Sequence, residues 1–191
     1  GKTTVALRVA ELLLQHFRDG VWLVDLTQID VEIPLLEHLL HTLDCDFATL
    51  RVRHALLVLD NCEHRREACK AMVETLLDAA PQLTILATSR EVLQASLETV
   101  QPLLPLTFPN SSAVDCVAQA MGYPAVQLFV SRARARQHDF NLREQDLPAV
   151  REICRQLDGL PLAIELAAAQ IDALALVGLH AQLVNGLQLL N

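Results

Sequence analysis

The residues of this chain that can do chemistry stand at the ends of its apolar segments. Gly1-Lys2-Thr3-Thr4 run straight into the amphipathic stretch VALRVAELLLQHF. Asp60 closes the apolar run ALLVLD and is followed by Asn61 and Glu63, and Thr88-Ser89-Arg90 close LTILATSR. Gly-Lys-Thr before a helix is the final part of the phosphate-binding pattern G-x-x-x-x-G-K-[ST]. Read that way, Lys2 reaches the β- and γ-phosphates and the Thr3 hydroxyl binds Mg²⁺. The N–H groups at the helix start, over Gly1 to Thr4, face the anion. Taken alone, the tetrapeptide is equally a charged helix start. An acid at the carboxyl end of a buried strand beside such a loop can hold Mg²⁺ through water, which is the place of Asp60. Asn61 or Glu63 can orient an attacking water; a solvated loop acid is the alternative for Glu63. Ligands of open α/β sheets sit outside the carboxyl ends of the strands. Arg90 can therefore sense a γ-phosphate, with a surface ion pair as its alternative.

These groups are positioned by elements that alternate. Val5, Val9, Leu12 and Leu13 recur at helical spacing, which predicts a helix over residues 2–17 that Asp19-Gly20 stops. Strands are expected at 21–26, 55–60 and 83–90, and helices at 34–43 and 66–80. Residues 100–106, VQPLLPL, suggest a fourth strand, which their two prolines confine to an edge or a short piece. Strand–helix alternation predicts a parallel sheet with crossover helices. After Phe108–Ser112 only helical periodicity remains, at 124–136, 148–157, 161–173 and 175–187. The expected organisation is an α/β domain over 1–110 and an all-helical domain over 111–191.

Composition narrows the function. Of 191 residues 52% are hydrophobic and only 4% aromatic, which suits helices on a parallel sheet better than a β-sandwich. A net charge of −8 disfavours direct contact with DNA, whose phosphates need clustered Lys and Arg. Arg132, Arg134 and Arg136 read as a solvated helix edge. The five cysteines have no C-x-x-C pair and read as reduced thiols of a cytoplasmic protein. The apolar stretch GLPLAIELAAAQIDALALVGL carries Glu165 and Asp172, so two packed helices explain it better than a membrane span. His38 and His41 lack a third ligand nearby and read as ordinary helix histidines.

The ordered set GKTT, LLVLDNCEH, ATSRE, AVQLFVSRARA and ICRQLDGLPLAIELAAA resembles the STAND-class P-loop ATPases of the NB-ARC or AP-ATPase type. That class includes plant disease-resistance proteins, the apoptotic-protease activator, and bacterial transcription regulators of the maltose-activator, LuxR-type kind, to which these motifs are most similar. The resemblance covers essentially the whole chain. It implies a P-loop NTPase sheet followed by a small helical domain, with ADP held in an off state and ATP in an on state. It also implies that Lys2 and Thr3 bind phosphate and Mg²⁺, that Asp60 coordinates Mg²⁺, that Arg90 is the sensor, and that Pro161 packs near the adenine. Many members carry a second acid after the Mg²⁺-binding one; here it is Asn61, which points to slow hydrolysis suited to a switch. The resemblance further implies an N-terminally truncated piece, lacking the sheet strand before the loop and the winged-helix domain after it. DNA, an inducer or a protein partner would then be met through domains outside this chain, oligomerisation would accompany the ATP state, and no membrane is involved. The rival readings are a turnover ATPase or kinase-like enzyme, disfavoured because no acceptor-binding lid is visible, and a nucleotide-binding scaffold.

Overall fold

A computed structural model describes residues 1–30, 32–110 and 116–188. The chain forms two compact units, Gly1–Pro102 and Leu103–Asn191. The first is α/β. Its strands β1 (Val21–Asp25), β2 (Leu56–Asp60) and β3 (Thr84–Ala87) form a parallel sheet in the order β1-β2-β3. Every residue of the central strand is buried, as expected for a strand covered on both faces. Helix α1 (Lys2–Leu13) lays Ala6 and Ala10 on Leu56 and Val58. On the other face Val24, Leu57 and Leu59 meet α2 (Leu35–Thr42) through Leu35 and Leu39, and α4 (Arg66–Ala79) through Cys69, Met72, Val73 and Leu76. A single turn, α3 (Phe47–Leu50), completes the first crossover, its N–H at Thr49 capped by the Asp46 carboxylate at 2.7 Å.

Several elements end earlier than their apolar patterns predict, each for a local reason. Helix α1 stops at Leu13 because Phe17 turns back into the Ala6–Ala10 cluster and packs against His54, with ring centroids 5.2 Å apart. The stop therefore precedes Asp19-Gly20, and Asp19 instead accepts the His54 N–H at 2.8 Å. Strand β1 ends at Asp25, because that carboxylate accepts the N–H of Thr27 at 3.0 Å and opens a 3-10 turn at Leu26–Gln28. Beyond β3, the Thr88 N–H still reaches the Leu59 carbonyl at 2.8 Å, and the chain then leaves the sheet.

The expected fourth strand is absent. Residues 100–106 have no regular structure, because Pro102 and Pro105 offer no N–H to a ladder. The Leu106 N–H is spent on the Gly159 carbonyl at 2.9 Å, inside the second unit. Leu106 and Phe108 pack on the helical core, so the units divide at Pro102/Leu103. Of the boundary expected at residues 108–112, Ser111 and Ser112 lie outside the described residues.

The second unit is helical: α5 (Val117–Ala120), α6 (Pro124–Arg136), α7 (Leu147–Gln156), α8 (Pro161–Ala168) and α9 (Ile171–Gln188). Phe129, Val126, Ile153 and Ile164 fill its centre. Proline stands within the first two positions of α6, α7 and α8, where its missing N–H costs nothing. The helix expected over 161–173 is cut at Ala169-Gln170, and α9 begins at Ile171, which is buried in the core. All five thiols are free. No helix among the described residues is long and apolar enough to cross a membrane. His38 and His41 join no group of three or more potential metal ligands among those residues.

Candidate functional site

The carboxyl ends of the three strands and the first turn of α1 converge on one carboxylate. Asp60 is 5% exposed, and a buried charge needs partners. The Thr3 hydroxyl donates to its Oδ1 at 3.0 Å, across 57 residues of sequence. The Thr88 hydroxyl donates to the same oxygen, and the Asn61 amide donates to Oδ2 at 3.3 Å. Thr88, itself 7% exposed, also accepts the Asn61 backbone N–H at 3.1 Å. Asn61 sits in the left-handed region at φ 61° and ψ 43°, which Asn tolerates better than most residues.

Sequence reasoning missed one member of this cluster. Asp25 is the register partner of Asp60 on the adjacent parallel strand, and its Oδ1 accepts the Asn61 amide at 3.0 Å. That amide is the main cause holding the Asp25 carboxyl below its ordinary range. The Thr27 N–H and hydroxyl pull the same way, against the opposing cost of burial. The signal was present: VWLVD ends on an acid as LLVLD does. Thr88, which sequence placed only at a strand end, here anchors both Asp60 and Asn61.

The other expected residues divide. Gly1 caps α1, its carbonyl accepting the Val5 N–H at 3.0 Å. Lys2 and Thr4 are exposed in the first turn. Glu63 and Arg90 are brought together with each other and not with Asp60, Arg90 Nε lying 3.1 Å from Glu63 Oε1. The Arg90 side chain is 79% exposed while that of Glu63 is 16% exposed. A pair with so open an arginine is worth about 0–1 kcal/mol, little enough for a phosphate to replace the carboxylate. Pro161 is the first residue of α8, in the second unit.

The donor set fits a hard divalent cation. Mg²⁺ takes oxygen ligands, keeps several waters, and is usually held by one or two carboxylates with substrate phosphates. A hydroxyl and a carboxylate oxygen 3.0 Å apart, at the start of a helix whose N–H groups face outward, are suited to that role.

No family model matches the chain, and no solved structure matches it. Its likeness is to mycobacterial proteins. It is 37% identical over 194 aligned residues to an uncharacterized protein of Mycobacterium tuberculosis, covering 96% of this chain and 46% of that protein. It is 38% identical over 187 residues to a second M. tuberculosis protein named "Putative HTH-type transcriptional regulator", covering 92% of this chain and 19% of that protein. A Mycobacterium bovis protein of the same description aligns equally well. The chain thus spans less than half the length of the curated relatives it matches.

Proposed function

We propose that this chain is an ATP/ADP-binding switch module of the STAND, NB-ARC-like P-loop type, acting in a transcription regulator of the cytoplasm and hydrolysing ATP slowly with Mg²⁺. The observation that carries the reading is the hydrogen bond from Thr3 to Asp60. It joins the residue after the loop lysine to the strand-end acid, the two groups that share a cation in phosphate-binding loops. The regulator-like name of one relative supports the regulatory half of the proposal.

In this reading the Lys2 ammonium neutralises the β- and γ-phosphate oxygens, and the N–H groups of the first turn of α1 meet the phosphate chain. Thr3 and Asp60 would hold the cation, which would supply positive charge to offset that building on the phosphates. Thr88 keeps Asp60 in place. Asn61, unlike an acid, takes up no proton, so it orients water without serving as a base. That favours slow hydrolysis, compatible with a switch read by which nucleotide is bound. DNA and inducer are met through other domains.

Calorimetric titration of the full-length protein tests the proposal. ATP and ADP are expected to bind, and ATP to bind more weakly once Mg²⁺ is chelated. No heat of binding for either nucleotide would overturn the reading. A second titration addresses Arg90. Because only ATP carries the third phosphate, Arg90→Ala is expected to weaken ATP by about tenfold, the loss of one charge-assisted contact, and ADP by much less. Equal losses for both nucleotides would make Arg90 a structural partner of Glu63 and no sensor.

A further inference from the structure

We propose that Asp25 is a positioning residue for Asn61: it holds the Asn61 side-chain amide in one orientation, so that the carbonyl oxygen is the atom offered to water beside Asp60. The inference rests on the nucleotide-binding reading above and adds to it the residue that prepares the hydrolytic water.

Asp25 and Asp60 are aligned on adjacent parallel strands, which run about 4.8 Å apart. Two carboxylates so placed repel unless a donor lies between them. The Asn61 Nδ2 group is that donor, 3.0 Å from Asp25 Oδ1 and 3.3 Å from Asp60 Oδ2. Turning the amide over would set its carbonyl oxygen against two acceptor-only groups. Electrostatics therefore decides the orientation of a side chain whose two ends are nearly equal in shape. Asp60 alone is the weaker lock, because its bond to Asn61, through Oδ2, is the longer one. Asp25 is the stronger lock. Its Oδ1 is itself pinned by the Thr27 N–H at 3.0 Å and the Thr27 hydroxyl at 2.8 Å. The Asn61 backbone N–H is tied to Thr88. With Nδ2 and the backbone N–H occupied, Oδ1 is the polar atom of this side chain left to accept a hydrogen from water.

A water held by that carbonyl has its own lone pair directed away from Asn61. In the step proposed, its oxygen forms a bond to the γ-phosphorus as the bond from that phosphorus to the β–γ bridging oxygen breaks. The bridging oxygen leaves with the electron pair on ADP. One water proton stays on the phosphate released and the other passes to solvent, since an amide carbonyl accepts a hydrogen bond but takes up no proton.

Single-turnover ATP hydrolysis and ATP affinity are measured together on the full-length protein and on Asp25→Asn, Asn61→Gly and the double variant. Glycine is chosen at position 61 because it keeps the left-handed backbone without strain. Asp25→Asn is expected to slow hydrolysis at least about tenfold while ATP affinity stays within about twofold. Adding Asp25→Asn to Asn61→Gly is expected to change the rate no further, because the residue it acts through is gone. The retained affinity reports that each variant is folded. Wild-type rate in Asp25→Asn, additive losses in the double variant, or an ATP-loaded wild type that does not hydrolyse would each overturn the proposal. Wild-type protein that binds no nucleotide would instead overturn the reading on which it rests.

Discussion

Replacing Lys2 by alanine is expected to weaken ATP binding at least about tenfold, about 1.4 kcal/mol. Lys2 is the cation of the first turn of α1, beside the Thr3–Asp60 pair. A charge-assisted contact to phosphate is worth roughly 1.5–3 kcal/mol, and the proposed geometry gives this ammonium two phosphates. Truncation should leave the fold alone. The side chain is exposed, and alanine is the best helix former, so no packing or propensity is lost. An unchanged melting temperature with a tenfold or greater rise in the ATP dissociation constant is the expected pair of results. Unchanged affinity in a calorimetric titration would sink the phosphate-loop assignment.

The largest expected loss of stability comes from Gly159→Ala. Gly159 has φ +64° and follows Asp158, which is also left-handed at φ 48°. Together they end α7 with the Gly159 N–H on the Cys154 carbonyl at 3.1 Å, a glycine-dependent helix stop. A Cβ at Gly159 would lie 2.0 Å from the Leu106 carbonyl oxygen and 3.1 Å from Phe108 Cδ1. That oxygen belongs to backbone and cannot swing aside as a side-chain tip would. Relief requires giving up the bond from the Leu106 N–H to the Gly159 carbonyl, worth about 1 kcal/mol. The left-handed conformation adds about 1–2 kcal/mol for any residue with a Cβ. A loss of about 2–3 kcal/mol is expected, and each kcal/mol lowers the melting temperature of a domain this size by about 4–8 °C. Gly178→Ala is the control. Its Cβ would make only ordinary contact, 3.6 Å from Leu174 Cβ, and in a helix alanine should stabilise by up to about 1 kcal/mol. Equal melting of Gly159→Ala and the wild type would show that the turn tolerates a side chain.

Local signals carried much of this architecture. The apolar runs at 21–26 and 55–60 named two strands, and the prolines at 124 and 161 marked the starts of α6 and α8. The break at Gly159-Leu160-Pro161, between the helices expected at 148–157 and 161–173, was visible because glycine frees the backbone for a turn and proline restricts the residue before it. Where the pattern was silent, packing decided. Nothing in AAAQIDAL breaks a helix, yet the chain turns at Ala169-Gln170 to bury Ile171. The run at 100–106 has strand-like apolarity, yet its prolines and the claim of Gly159 on Leu106 keep it out of the sheet.

The candidate site divides along the same line. By itself the sequence determined that acids, a hydroxyl and a cation stand at the ends of apolar segments, because residue type and apolar run length are local properties. It could not determine which ends are neighbours. Thr3 meets Asp60 across 57 residues, and Asn61 meets Asp25 across 36. Those meetings depend on strand order and on the pairing of Asp25 with Asp60. Slipping that pairing by one residue would turn each side chain of a strand to the opposite face. Register is set by burying both faces of β2 at once, a condition on the whole sheet that no single segment contains.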